Sequence, residues 1–221
     1  MGNDRSVRVD DYLAGLFVGD DPAFEHALAA SAAAGLPPIA VSAVQGKFLY
    51  LLALSCGARR VLEIGTLGGY SAIWFGRAVG DTGTVLSLEI DPAHAGVARK
   101  NLASANLANV VTIEVGPALQ TLDRFIEARV EPFDLIFIDA DKPNNPNYLT
   151  RALALAHVGT IIVLDNVVRD GAVADARSRD PSVVGTRRCL EMMATDPRLE
   201  ATALQTIGAK GYDGFALARV R

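Results

Sequence analysis

Five short apolar runs, separated by stretches of helical character, constrain this chain more than anything else in it. They are RVLEI (60–64), TVLSLEI (84–90), VVTIEV (110–115), FDLIFID (133–139) and TIIVLD (160–165). Runs this apolar, with helices between them, describe parallel strands covered on both faces. The intervening stretch Pro92–Ala105 places proline in a first helical turn. Upstream, Pro22–Ala34 is Ala-rich and stops at Gly35-Leu36-Pro37-Pro38, and a further helix starts at Ser42 and runs to Gly57, with Gln45 completing a capping-box pattern. After a helix near 183–195, ATALQTI and GFALARV suit an antiparallel hairpin at one sheet edge. The fold expected is α/β, Rossmann-like and doubly wound, with residues 1–221 forming one domain.

Composition narrows the function. Half of the 221 residues are hydrophobic and the net charge is −4, so no basic stripe is available to neutralise nucleic-acid phosphates. No apolar run approaches the ~20 residues of a membrane span, and acids stand where a secretory signal would be apolar. Cys56 and Cys189 form no metal or redox spacing, which suits inert thiols in a cytoplasmic protein. His26, His94 and His157 fall in segments read as helical and are taken as structural or solvated.

In doubly wound sheets ligands sit beyond the carboxyl ends of the strands, and each end here carries useful chemistry. The first reads EIGTLGGYS (63–71). Its G-x-x-G-G spacing is not the G-x-G-x-x-G of nicotinamide binding, and Glu63 would repel a pyrophosphate but attract an ammonium. The second ends in Glu89, a suitable acceptor for a ribose diol, with Asp91 free to cap the next helix. S-adenosylmethionine joins an ammonium to such a ribose. The fourth and fifth strands end in Asp139 and in Asp165-Asn166, hard oxygen donors suited to Mg²⁺ or another divalent cation such as Mn²⁺ or Ca²⁺, provided the two strands are neighbours. Lys142 is a candidate base, with surface pairing to Asp141 as the alternative. No GxSxG elbow or Cys-His pair points to a hydrolase.

Taken in order, LEIGTLGGYS, LSLEID, VGPAL, FIDADKPNN, LDNVVR and GYDGFAL resemble the cation-dependent O-methyltransferases, the group that includes caffeoyl-CoA and catechol O-methyltransferases. The resemblance implies a seven-stranded, mostly parallel sheet, a homodimer with the N-terminal helices (about 1–57) as lid or interface, and methylation of vicinal phenolic hydroxyls. It carries Val41, Glu63, Gly65, Thr66, Ser71, Glu89, Ala118, Asp139 and Asp141 onto cofactor-contacting positions. Asp139, Asp165 and Asn166 match metal ligands, and Lys142, with Asp139, matches the catalytic group. Departures lie at Val41, where plant members have threonine, at SAVQGK, and at HVGT, where relatives often have Pro-Gly-Gly. A metal-independent methyltransferase is the alternative reading, and a nicotinamide-dependent oxidoreductase the weaker one.

Overall fold

The computed structural model describes residues 2–221, so the N-terminal region expected over 1–57 is described from Gly2 onward and Met1 lies outside it. Helices α1 (Gly2–Phe17), α2 (Pro22–Ala33) and α3 (Ala43–Ser55) precede the first strand. The alternating part then runs β1 (Arg60–Ile64), α4 (Tyr70–Val79), β2 (Thr84–Glu89), α5 (Pro92–Ser104), β3 (Val111–Val115), α6 (Ala118–Glu127), β4 (Phe133–Ile138), α7 (Asn145–Ala154) and β5 (Ala156–Asp165). Helix α8 (Pro181–Thr195) and the strands β6 (Leu199–Gly208) and β7 (Gly211–Val220) finish it.

Local chemistry sets several of these starts. Asp21, Asp91 and Asp180 each precede a proline, and each accepts a backbone N–H two residues on, at 3.0, 2.7 and 2.7 Å. The carboxylate satisfies an orphan donor while proline pre-sets the helical φ. Helix α1 was not individually legible: its exposed face carries Val9, Tyr12, Leu16 and Phe17 where a soluble helix usually shows charge.

The seven strands order as β3-β2-β1-β4-β5-β7-β6. The first five are parallel, and β7 and β6 add an antiparallel hairpin, as expected. Strand direction of travel reverses between β1 and β4, the switch point where ligands gather. Alternate side chains feed two cores: Leu135 and Phe137 of β4 pack on one face, Ile136 and Ile138 on the other. All four are fully buried, each stabilising by about 1.5–3 kcal/mol.

One expectation is corrected. β5 begins at Ala156, not Thr160, so His157 stands on a strand, unlike His26 and His94, which are helical. Thr160 explains the extension, since its Oγ accepts from His157 N–H (2.9 Å) and donates to Phe133 O (2.7 Å), tying the polar HVGT stretch to β4. Both cysteines are free, and burial pushes the Cys189 thiol up to about 12. Among the described residues no helix is long and apolar enough to cross a membrane.

Candidate active site

The turn after β1 is built by close approach. Gly65 has φ +103°, and a Cβ there would collide with the Asp139 carbonyl oxygen, so only glycine fits. Its N–H donates to Leu88 O (3.0 Å), and Asp139 N–H donates to Ile64 O (2.9 Å), lacing the ends of β2, β1 and β4 together.

Glu63 lies beneath this turn, fully buried. Ser71 Oγ, in the first turn of α4, donates to its Oε1 at 2.5 Å, and Ser87 Oγ donates to Oε2. Burial outweighs both hydroxyls and pushes the carboxyl up to about 7. Thr66 adds a hydroxyl contact to Ser87 at 2.6 Å. The carboxylate expected to face an ammonium is thus engaged by two serine hydroxyls, Ser71 and Ser87. Glu89 is also engaged: Oε2 accepts from Thr66 N–H (3.2 Å) and Leu67 N–H (2.7 Å), and Oε1 from Asp91 N–H (3.0 Å). Four lone-pair sites per carboxylate leave capacity for further donors. Asp141 accepts from Asn144 Nδ2 (2.7 Å) and Tyr148 OH (2.5 Å). Val41 is buried ahead of α3, and Ala118 opens α6.

β4 and β5 are neighbours, which brings Asp139 and Asp165 together. Asp165 is almost wholly buried; its Oδ1 accepts from Asn166 N–H (2.8 Å) and its Oδ2 from Gln45 Nε2 (2.9 Å). Burial first, then the Asp139 charge, push its carboxyl well above the usual range. Lys142 Nζ sits 2.7 Å from Asp139 Oδ1, so its partner is Asp139 and not Asp141. Two carboxylates at neighbouring strand ends, one desolvated, and the Asn166 that follows Asp165 form a donor set of hard oxygens that a divalent cation fits. Among the described residues no group of three or more His, Cys, Asp or Glu side chains is gathered, so the candidate centre is two acids and one amide.

Asp165 and Asn166 open onto a cavity of about 330 Å³. Phe48 and Phe215 wall it, their rings 4.9 Å apart and tilted by 38°. A flat aromatic ring beside an oxygen-rich corner suits such a space.

A family model described as O-methyltransferase matches residues 19–220. The chain belongs to the O-methyltransferase family. It is 57% identical over 224 residues, covering all of both chains, to the catechol O-methyltransferase of Mycobacterium tuberculosis. It is 47% identical over 221 residues, again end to end, to the catechol O-methyltransferase of Niastella koreensis. The O-methyltransferase of Bacillus cereus, solved in complex with SAH, superposes with a TM-score of 0.97 at 50% identity, covering 99% of each chain.

Several features of this O-methyltransferase escape sequence reasoning. Ser42 Oγ does accept from Gln45 N–H (3.2 Å), but the Gln45 side chain does not return the bond; it reaches Asp165 instead. Ser87 carried a readable signal, a hydroxyl at an inward position of an apolar strand. Phe48 and Phe215 carried none, because one lies on α3 and the other on β7, and only the fold brings their rings together.

Proposed function

We propose that the chain is an S-adenosylmethionine-dependent, divalent-cation-dependent O-methyltransferase that methylates one hydroxyl of a catechol-like phenol. The observation that carries this reading is Asp165, a buried carboxylate beside Asp139 at the edge of an aromatic-walled cavity. Its full-length likeness to two catechol O-methyltransferases and to an SAH-bound neighbour supports the acceptor and the cofactor.

The chemical problem is a weak nucleophile: a phenol with pKa ~10 is only about a thousandth ionised at pH 7. Asp139, Asp165 and Asn166 would hold a divalent cation, which would supply Lewis acidity to the acceptor's hydroxyl. Lys142, in its neutral amine form, takes up the acceptor's proton at Nζ. Phe48 and Phe215 hold the ring and exclude water. On the cofactor side Ser71, oriented by Glu63, meets the amino-acid end, and Glu89 meets the ribose, with Val41, Gly65, Thr66, Ala118, Asp139 and Asp141 completing the contacts. These residues fix oxygen, methyl carbon and sulfur in line.

The test is methyl transfer from S-adenosylmethionine to a catechol and to the matching mono-phenol. EDTA should abolish transfer, Mg²⁺ should restore it, and the mono-phenol should react poorly. Full turnover of metal-stripped enzyme would favour a metal-independent reading.

The chain also pairs with a second copy in this proposal. α1 lies against α3 and β6, and Tyr12, Leu16, Leu51, Leu54, Leu204 and Ile207 are exposed on those elements. Such an apolar face is typical of an interface. Light scattering should give twice the chain mass, and a stable monomer would exclude the dimer.

A further inference from the structure

The segment after Asp165 is held in an unfavourable backbone. Asn166, Arg169 and Asp170 have φ of +55°, +56° and +55°, half of the six non-glycine residues with left-handed backbone among those described. None is glycine, so each costs conformational energy that the surroundings must offset. Arg169 Nε is also buried without a hydrogen-bond partner.

What offsets the cost comes from β7, in the GYDGFAL stretch. Asp213 Oδ1 accepts from two consecutive backbone N–H groups of the turn, Val168 (2.9 Å) and Arg169 (3.1 Å). One residue on, Gly214 O accepts from Val167 N–H (3.0 Å). A Cβ at Gly214 would collide with Leu204 O and crowd Val168 Cγ2, so the hairpin presses directly on the turn. Asp213 also lines the cavity with Asp165 and Asn166. Charge-assisted bonds to backbone N–H are short and strong, and two on one oxygen fix a peptide pair in place.

We propose that Asp213 is a positioning residue: its carboxylate locks the left-handed turn that presents Asn166, and so sets the cation affinity of the Asp139, Asp165 and Asn166 centre. This rests on the cation reading above. Asp213 supports a ligand without being one, and partners of that kind change metal affinity by roughly 10–100-fold.

The experiment titrates Mn²⁺ by electron paramagnetic resonance into protein without acceptor, alongside hydrogen exchange over 166–171 and calorimetry with S-adenosylmethionine. Asp213→Ala should weaken Mn²⁺ about 10-fold or more and speed exchange across the turn, with cofactor affinity unchanged. Asp213→Asn keeps an oxygen that accepts from both N–H groups in the same geometry, if more weakly than a carboxylate, and should stay within about threefold of wild type. Should the alanine variant not fold, Asp213→Glu takes its place; its longer arm cannot hold both N–H groups where they are, and Mn²⁺ should again weaken. Wild-type Mn²⁺ affinity in the variant used would overturn the inference, as would equal losses in Asp213→Asn and Asp213→Ala. Wild-type protein that binds no Mn²⁺ would sink the cation reading and this inference with it. The two failures are distinguishable, because in the former the wild type binds.

Discussion

Two aspartates stand at opposite rims of the same strand pair. Asp134 is the second residue of β4; Asp165 closes β5. Asp134 Oδ2 accepts from the N–H groups of Arg59 and Arg60, both at 2.8 Å, and Oδ1 meets His157 Nε2 at 2.9 Å. Burial raises its carboxyl, but these partners together win and hold it below the usual range. Asp165 has one backbone N–H and one amide, and burial with the Asp139 charge wins instead. One rim spends its carboxylate on the fold. At the other rim the fold holds a carboxylate at a cost, as the proposed cation centre would require.

The sharpest way to break this contrast is Asp165→Ala. Without the ligand, the stabilisation that would bring a phenol pKa from ~10 to ~7 is forfeited, about 4 kcal/mol, so turnover should fall roughly 10³-fold. The cation-free variant should melt no lower than wild type, since an unfavourable buried charge is removed. Initial rates and thermal melts decide it. Retained activity would undo the site, and collapse of the melt would place Asp165 with Asp134 as a structural residue.

Gln45 sharpens the same end. It donates to Asp165 Oδ2 from α3, so Gln45→Ala should weaken cation binding by about 10-fold while leaving the fold intact. Gln45→Glu should do the opposite, because a third carboxylate favours a divalent cation. Calorimetric Mg²⁺ titrations of the two variants should therefore move apart; shifts in the same direction would mean Gln45 acts only on helix α3.

The rims also differ in how far they were legible. Parallel strands buried on both faces announce themselves, so the β/α alternation, the terminal hairpin and the carboxylates at the strand ends were readable from residues. The extension of β5 through His157 was not, because Val158 is 72% exposed and the stretch is tied to β4 by side chains, Thr160 to Phe133 and His157 to Asp134. Gln45 shows the other limit. Local pattern assigns its side chain to the nearest partner, Ser42, whereas the fold offers an unsatisfied carboxylate from 120 positions away, and the buried charge wins. Asp213 is similar, since nothing in GYDGFAL says which turn its carboxylate will meet.

A pH experiment separates Glu63 from its surroundings. Its carboxyl rises from 4.5 to about 7 on folding, with burial the main cause. The folded protein therefore binds more protons than the unfolded chain between those values, and stability falls as pH rises through that window. Glu63→Gln should flatten that part of the profile, measured by denaturant melts from pH 4.5 to 7.5. It should also weaken cofactor binding by about tenfold, through the lost orientation of Ser71. An unchanged profile would mean the carboxyl is not the titrating group.

The smallest effect belongs to the lower rim. His157 is raised above its ordinary value, first by the Val158 carbonyl and then by Asp134. A histidine raised on folding contributes its stability while protonated, below its unfolded pKa, and loses it as pH rises through the folded value. The side chain is 44% exposed, so solvent screens the pair and the contribution is modest. His157→Ala should therefore lower the melting temperature by roughly 1–3 °C at pH 5.5 and by less at pH 8. Asp134 keeps its two backbone N–H donors in the variant, which is why the strand should not detach. Methyl transfer should be untouched, because the pair lies at the opposite end of the strands from Asp139 and Asp165. A variant that melts normally at pH 5.5 but loses turnover would reverse the assignment of the two rims.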